Sequence, residues 1–167
     1  MKKPRGAHHV VSDELEWEPH DSGGRSRFRR RRLSERAGAA MLGCSELEIP
    51  PGQRAWPYHW HTANEEALYV LAGEGELRTP AGTRPLRAGD YAAFPRGDAG
   101  AHEIRNTGDA PLRFLCMSTM IEPEITYMPD SGKYGLFAGS APGGDPDARS
   151  LSRFVRVEDA PYYDGED

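Results

Sequence analysis

Short hydrophobic segments separated by glycine, proline and acidic turns dominate the chain from about residue 37 to residue 120. Their spacing, with a turn signal between successive segments, is typical of β-sandwiches and β-barrels. No stretch in this region repeats its hydrophobic residues every 3.6 positions, so we expect helices to be minor. The pattern therefore predicts an all-β fold of jelly-roll type. The predicted strand segments are AAMLGCSELEI, EALYVLAG, ELRTP, RPLRAGD, DYAAFP, HEIRN and PLRFLCMST.

The two ends of the chain lack this regular pattern. Residues 1–35 combine prolines, glycines and arginines and are predicted to form an extended N-terminal arm. Residues 36–125 are predicted to form the barrel. Residues 126–167 are predicted to form a C-terminal extension that packs on the barrel or on a partner subunit, and they end in an acidic, aromatic tail.

Composition supports one compact β domain with terminal arms. The chain has 167 residues, enough for a full core, and its 19 glycines and 14 prolines indicate many turns. The formal net charge of −5 argues against a nucleic-acid-binding protein as a class. We expect no nucleic-acid partner.

One basic run stands against this acidic background. Six arginines fall between Arg25 and Arg32. Such a run is compatible with an arm that contacts phosphates. The favoured interpretation is a solvated arm or an edge strand, where exposed charge discourages aggregation. Because the later segments are acidic, the run is also expected to pair internally or across a subunit interface.

The cysteines and the hydrophobic runs bear on location. Cys44 and Cys116 lie 72 residues apart without a second thiol or histidine at metal-ligand spacing, so they are predicted to be reduced residues packed in strands. No apolar run approaches the roughly 20 residues that span a bilayer. The basic N-terminus is not followed by an apolar segment of the secretory kind. We therefore expect a cytoplasmic protein without a membrane partner.

Histidine and glutamate residues cluster where the second strand begins. His59 and His61 are two positions apart, so on a strand their rings point to the same face. Glu66 begins the next apolar run and, on a strand that returns antiparallel, would lie beside the histidines on the face of Leu68. Glu65 points to the opposite face. Glu66 is therefore favoured as a third metal ligand.

A third histidine follows a glycine-rich turn. His102 begins a predicted strand after Gly97 and Gly100. Three imidazoles and one carboxylate would leave one or two positions of an octahedral ion open, and the set suits Mn, Fe, Co, Ni, Cu or Zn. The alternative is that His102 is a surface turn residue and the histidines form no site.

These residues carry a resemblance to the cupin superfamily, and within it to small bacterial single-domain cupins of the conserved-barrel type. The two cupin motifs are G(X)5HXH(X)3–4E(X)6G and G(X)5PXG(X)2H(X)3N. The chain departs from them by one extra residue before His59 and two extra residues before His102. The matching positions of the first motif are Gly52, His59, His61, Glu66 and Gly73, and those of the second are Gly89, Pro95, Gly97, His102 and Asn106.

The resemblance implies a double-stranded β-helix and one divalent transition metal ion at His59, His61, Glu66 and His102. It implies no single activity, because cupins include dioxygenases, isomerases, decarboxylases, epimerases and non-catalytic binding domains. Some members of the resembling subgroup are described as sugar-phosphate isomerases. Family members are commonly homodimers that exchange a terminal strand, which the long arms would allow.

Two classes of function follow from the resemblance. A metal-dependent enzyme would use the ion to polarise a small oxygenated substrate or, with Fe(II), to activate O₂. A binding or sensing protein would use it to anchor a carbohydrate-like or carboxylate ligand. A structural ion is the least favoured, because structural sites usually have four ligands and no vacancy.

The enzyme hypothesis also needs a pocket and, for isomerisation, a base. Trp56, Tyr58 and Phe94 are candidates to line the pocket, the alternative being ordinary barrel packing. Proximity in sequence is the only ground on which Glu65, Tyr58 and Tyr69 are candidate bases. The lack of a clear base slightly favours the binding class.

Overall fold

The computed structural model describes residues 8–166, which form an all-β barrel with one short helix. This confirms the predicted fold class. The elements are β1 (Glu18–Asp21), β2 (Arg27–Arg32), α1 (Leu33–Ala37), β3 (Leu42–Ile49), β4 (Trp60–His61), β5 (Glu66–Ala72), β6 (Glu74–Thr79), β7 (Gly82–Arg87), β8 (Tyr91–Phe94), β9 (Glu103–Arg105), β10 (Leu112–Thr119), β11 (Glu124–Met128), β12 (Lys133–Ala138) and β13 (Leu151–Val155).

Two walls enclose the core. One wall is a six-stranded sheet in the order β1-β2-β3-β10-β5-β8. The other consists of a four-stranded sheet, β13-β12-β11-β4, and a three-stranded sheet, β7-β6-β9. Isolated antiparallel bridges join Arg54 to Arg105 and His59 to His102, so the segment before β4 runs beside β9 and links the two smaller sheets.

Alternation along the strands places the core between these walls. In β5, Leu68 and Val70 are buried while Tyr69 and Leu71 are exposed, as the period of two requires. Residues from both walls form one hydrophobic cluster. Its members include Phe28, Leu47, Ile49, Leu68, Val70, Phe94, Leu112 and Phe114 from the six-stranded sheet, and Leu77, Leu86 and Ile104 from the three-stranded sheet. Because the inward face of β5 begins at Glu66, this core directly adjoins the candidate metal ligands.

Gly73 shows why one motif glycine is required. It lies between β5 and β6 with a φ of +83°, a conformation that side chains rarely adopt. A Cβ at this position would lie 2.4 Å from the Pro111 carbonyl oxygen and 2.9 Å from the Leu112 Cα. Both obstacles are backbone atoms that cannot swing aside, so the chain can turn away from the site only with glycine here.

The arginine run forms β2, and β2 is not an edge strand. It pairs with β1 on one side and β3 on the other. Its outward side is covered by the preceding segment: Arg31 lies 4.2 Å from the centre of the Trp17 ring and donates to Asp13 at 2.9 Å. The favoured edge-strand interpretation is therefore wrong, because an N-terminal hairpin supplies the missing neighbour. Internal pairing of the run with acidic residues is confirmed.

Both predicted ends extend the sheets. From residue 18 the segment predicted as an N-terminal arm contributes β1 and β2 to the large sheet, while residues 1–7 lie outside the described range. The segment predicted as a C-terminal extension contributes most of β11 together with β12 and β13. Cys44 lies in β3 and Cys116 in β10, and both are free thiols as predicted.

Candidate metal centre

His59 and His102 face each other across a bridge between two chain segments. The His59 N–H donates to the His102 carbonyl at 3.1 Å, and the His102 N–H donates back to the His59 carbonyl at 2.9 Å. Their ring centroids are 4.7 Å apart, and the His61 ring lies 5.0 Å from that of His59. Backbone pairing thus brings together three imidazoles that are up to 43 positions apart in the sequence.

Glu66 lies at the centre of the histidine cluster. One ligand atom from each of His59, His61 and Glu66 can be chosen so that all three lie within 4.8 Å of one another. The Glu66 Oε2 is 3.5 Å from the His61 Nε2 and 3.3 Å from the His102 Nε2. Neighbouring ligands of an octahedral ion with bonds of about 2.1 Å are about 3 Å apart, so these separations fit a shared ion.

Two of the histidines are oriented by carbonyl groups of their own loops. The His59 Nδ1 lies 2.8 Å from the Pro57 oxygen, and the His102 Nδ1 lies 2.9 Å from the Gly100 oxygen. A carbonyl oxygen only accepts, so each Nδ1 carries the proton and each Nε2 presents a lone pair. The chain has more residues before His59 and before His102 than the cupin motifs do, and these extra residues lie in the same two loops. The loop before His102 includes the 3-10 turn Asp98–Gly100.

His61 instead faces a second carboxylate. Its Nδ1 lies 3.4 Å from the Glu124 Oε2, and neither ring nitrogen has a hydrogen-bond partner of normal geometry within residues 8–166 although both are buried. Glu124 is completely buried and accepts from the backbone N–H groups of Thr62, Ala63 and Asn64. The loop after β4 thus fixes Glu124, and Glu124 faces the histidine ring.

The charges of the cluster follow from burial and proximity. Burial, together with the other two imidazoles, lowers the pKa of His59 to about 3. Burial also lowers the pKa of His61, but Glu66 and Glu124 outweigh it and raise that pKa to about 10. Burial raises the pKa of Glu66, yet the imidazoles of His61 and His102 bring it well below its ordinary value.

The donor set fits a divalent transition metal. It offers imidazole nitrogens with a carboxylate oxygen, a mixed set that such ions accept. His61 supplies a buried Nε2 without a hydrogen-bond partner in the described chain, which is the environment of a ligand atom. His59, His61, Glu66 and His102 would hold the ion, and one or two positions of an octahedron would stay open to a small molecule.

The other residues singled out in the sequence lie at different places. Phe94 is buried and stacks on the His102 ring, with centroids 3.8 Å apart and planes 11° apart. Tyr58 is buried beneath the Arg78 guanidinium, and Trp56 packs edge-on against Phe28 of the core. Of the three residues predicted to line a pocket, Phe94 therefore contacts a candidate metal ligand, His102, directly.

The base candidates do not converge on the cluster. Glu65 is exposed, and its backbone N–H donates a hydrogen bond to the Thr119 hydroxyl oxygen. Tyr69 is 41% exposed on the face of β5 opposite Glu66. Burial raises the pKa of Tyr58. Its ring contacts the Arg78 guanidinium, and none of its contacts within residues 8–166 is with a candidate metal ligand.

Glu124 is a candidate functional residue that the sequence did not predict. Position 124 lies outside both cupin motifs and 63 residues after His61. One signal was present: Glu124 is in phase with Thr126 and Met128, which are buried on the inner face of β11. A carboxylate in phase with buried residues is costly unless it is paired, and that cost marks it as a functional candidate.

Fold and site together define a small all-β barrel with a histidine-carboxylate centre. Residues 45–118 match the family described as the cupin domain, Cupin_2. The chain therefore contains a cupin domain of this type, which confirms the resemblance seen in the sequence. None of the helices within residues 8–166 is long and apolar enough to cross a membrane.

Similar proteins include both binding proteins and enzymes. An oxalate-binding protein of Thermotoga maritima is 31% identical over 77 residues, which cover 46% of this chain and 61% of that protein. The chain thus spans about three fifths of the length of this curated relative. A crystal structure of a sugar phosphate isomerase from a cupin superfamily, from Silicibacter pomeroyi, is 26% identical with a TM-score of 0.74 and covers 89% of this chain and 92% of that one.

A second similar structure comes from a shorter chain. It is a Thermotoga maritima protein described as a predicted oxalate decarboxylase, 27% identical with a TM-score of 0.59. The match covers 68% of this chain and 99% of that one. Two of these three proteins are thus described by oxalate and one by a sugar phosphate.

Proposed function

We propose that this cupin holds one divalent transition metal ion at His59, His61, Glu66 and His102 and binds a small oxygenated ligand there. The observation that carries the proposal is the convergence of imidazole nitrogens on the Glu66 carboxylate, with the His61 Nε2 buried and without a hydrogen-bond partner in residues 8–166. When bound, the ion would act as a Lewis acid toward a carbonyl, hydroxyl or carboxylate oxygen.

The ligand we propose is anionic, a carboxylate or an acidic carbohydrate derivative. With the proton of His61 displaced by the ion, three neutral imidazoles and the Glu66 carboxylate would leave a divalent ion with one net positive charge among its ligands, which favours an anion at the open positions. The oxalate-binding relative supports a carboxylate. The open positions also distinguish this centre from a structural metal site.

Binding is favoured over catalysis by the surroundings of the centre. None of Glu65, Tyr58 and Tyr69 contacts a candidate ligand side chain in the described chain, so a positioned base for isomerisation is missing among them. The second candidate function is a metal-dependent isomerisation of a sugar phosphate, supported by the likeness to the Silicibacter enzyme across most of both chains.

Metal content tests the proposal. Wild type and a Glu66→Gln variant are reconstituted with Mn, Fe, Co, Ni, Cu or Zn, dialysed and measured by elemental analysis. Glu65→Gln is the matched control, because Glu65 is adjacent to Glu66 in the sequence and its side chain is exposed. We expect about one ion per chain in wild type and Glu65→Gln and loss in Glu66→Gln with little change in melting temperature. Equal metal content in both variants, or none in wild type, would refute the centre.

Two assays then separate binding from catalysis. The metal-loaded protein is tested for conversion of a panel of sugar phosphates and, in the Fe(II) form, for oxygen uptake. Turnover that Glu66→Gln abolishes would favour the enzyme. Absence of turnover together with oxalate binding would favour the binding protein. The predicted homodimer and cytoplasmic location stay predictions, and sedimentation that shows a monomer would reject the dimer.

A further inference from the structure

The arginine run that the sequence singled out has one member without an acidic partner in the described chain. Arg25 precedes β2, is exposed and forms no ion pair within residues 8–166. Each of the other members forms an ion pair with a carboxylate; they are Arg27, Arg29, Arg30, Arg31 and Arg32. Internal pairing therefore accounts for the run except at its first position.

Backbone pairing brings two further arginines to this position. The Arg54 N–H donates to the Arg25 carbonyl at 2.9 Å, and an antiparallel bridge joins Arg54 to Arg105 on its other side. Ile104 belongs to the core, so the period of two places Arg105 on the outer face of this wall. Residues opposite each other in an antiparallel pair share a face. Arg54 and Arg105 thus lie on the opposite side of this wall from His102, which is in phase with Ile104.

A cavity of about 430 Å³ lies where these three arginines meet. Its volume is within the range of pockets that bind small molecules. Arg25, Arg54 and Arg105 line it together with residues 52–53 and 106–108. None of these lining residues of the described chain is acidic. The cavity therefore presents positive and neutral polar groups to a ligand.

One carboxylate offsets part of the positive charge from behind. The Glu103 side chain is completely buried and accepts from the Arg54 Nη1 at 2.6 Å and from the Arg105 Nε. Three guanidinium charges against this single carboxylate leave an excess of two positive charges at the cavity. The Nη2 of Arg54 and both Nη atoms of Arg105 make no hydrogen bond within residues 8–166, so donors stay free for a ligand.

A second carboxylate nearby does not remove the excess. Asp130 is already held by Arg78, whose Nη1 and Nη2 donate to it at 2.6 and 2.9 Å. Arg78 lowers the pKa of Asp130 most, and Arg54 and Arg105 lower it further. The positive potential of the two arginines thus extends over the outer face of the wall even where a carboxylate is present.

A neutral acceptor adjoins the arginines. The Oε1 atom of Gln53, which lines the same cavity, is buried and has no hydrogen-bond partner within residues 8–166. A buried amide oxygen without a donor is costly, so such groups are usually satisfied. A hydroxyl group of a ligand would supply the missing donor.

We propose that Arg25, Arg54 and Arg105 bind the phosphate group of a small hydroxylated phosphate monoester in this cavity. Guanidinium groups present planar forks of donors that match phosphate oxygens. A phosphate monoester carries about −1.5 to −2 charges at pH 7 and three acceptor oxygens, which fits the excess of two charges better than a single carboxylate does. The site lies outside the barrel wall, so it is a second ligand site and does not depend on the proposed metal centre.

Calorimetric titration tests this site. Wild type, metal-loaded and chelator-treated, is titrated with glycerol 3-phosphate, inorganic phosphate and glycerol. Arg25→Gln and Arg105→Gln are titrated in the same way, and the melting temperature of each is measured. Arg153→Gln is the matched control, because it removes the same charge from an exposed position of β13 without an ion pair in residues 8–166.

We expect wild type to bind glycerol 3-phosphate equally well with and without metal, and not to bind glycerol. Affinity should fall about tenfold to a hundredfold in Arg25→Gln and Arg105→Gln, because each removes a charged hydrogen-bond donor. It should stay unchanged in Arg153→Gln. Should Arg105→Gln lose its fold through the change beside Glu103, Arg25→Gln decides, since Arg25 has no ion pair to lose in the described chain.

The contrary outcomes are equally distinct. Absence of binding to wild type, or equal affinity in wild type and Arg25→Gln, would refute the site. Equal affinity for inorganic phosphate and glycerol 3-phosphate would refute the monoester and identify free phosphate as the ligand. Binding that needs the metal ion would place the phosphate at the metal centre instead. None of these results changes the metal content of the protein, which tests the proposed function separately.

Discussion

Two regions of the chain contribute differently to the candidate centre. The residues that offer metal-ligand atoms, His59, His61, Glu66 and His102, all lie within residues 45–118, which match the cupin domain. Glu124 lies outside that region, and its carboxylate faces the His61 ring. The strands of this matched region, the cupin strands, thus carry the candidate metal donors, whereas a flanking strand adds a carboxylate beside one of them. Likeness within the cupin strands alone is therefore a weak guide to the ligand.

The largest expected difference between the regions is in packing. Phe114 is 1% exposed in β10, between β3 and β5, whereas Phe154 of β13 is 61% exposed. Phe114→Ala should reduce the free energy of unfolding by about 3–5 kcal/mol, because the lost burial is joined by a cavity. Phe154→Ala should cost less than about 1 kcal/mol. Urea denaturation monitored by circular dichroism measures both.

An equal loss of unfolding free energy in Phe114→Ala and Phe154→Ala would contradict this difference in packing. It would mean that the Phe154 ring is buried in solution, by a second copy of the chain or by a segment outside the described residues. Sedimentation of the wild type and of Phe154→Ala then distinguishes these two causes, because only the first changes the mass of the particle.

Orientation of His61 by Glu124 is the next effect in size. Glu124→Gln removes the negative charge beside the His61 Nδ1 while keeping the shape of the side chain. Partners of this kind typically contribute tenfold to a hundredfold in metal affinity, so we expect metal affinity to fall by that factor. The matched control is Glu122→Gln, two positions earlier and exposed.

The readout must separate orientation from stability. Glu124 also accepts backbone hydrogen bonds from the loop after β4, so its substitution is expected to lower the unfolding free energy of the metal-free protein. Competition of a chelator for bound Zn or Mn, measured well below the melting temperature, reports affinity alone. Unchanged affinity with reduced stability would show that Glu124 supports the loop and not the ligand.

The sequence predicted the donors better than their surroundings. Alternation in EALYVLAG fixed the phase of β5, and with it the choice of Glu66 over Glu65, because both depend on neighbours in the chain. The approach of Glu124 to His61 depends instead on pairing between β4 and β11, two segments that share no local pattern. Long-range pairing of this kind has no periodic signature.

The sequence did not predict strand β2 as a paired strand, for a different reason. Its inward face carries Phe28 but also Arg30 and Arg32, so the period of two is masked by charge on both faces. Burial of Arg31 on the outward face requires Trp17 and Asp13 from the preceding segment. A solvated arm was the reasonable expectation for such a run, because an unpaired arginine is costly to bury. The sequence alone did not reveal the pairs.

The smallest effect concerns Glu46, which joins a flanking segment to a cupin strand. This carboxylate is 2% exposed on β3, accepts from Arg113 of β10 and from the Ser12 hydroxyl, and lies 3.6 Å from Arg31. Burial raises its pKa, but the hydrogen bonds from Ser12 and Arg113 outweigh burial and hold the pKa below its ordinary value of 4.5. The charged form is therefore the one that stabilises the fold.

The sign of the pH dependence follows from that lowered pKa. Stabilisation by Glu46 should be fully present above its ordinary pKa and should be lost as the pH falls through the lower value of the folded state. Glu46→Gln should cost about 1–2 kcal/mol at pH 7, and the difference from wild type should shrink below about pH 4. Urea denaturation at several pH values measures it. A difference that stays constant with pH would show that Glu46 acts through its shape and its neutral hydrogen bonds, and the flanking segment would then be held mainly by the stacking of Trp17 on Arg29 and Arg31.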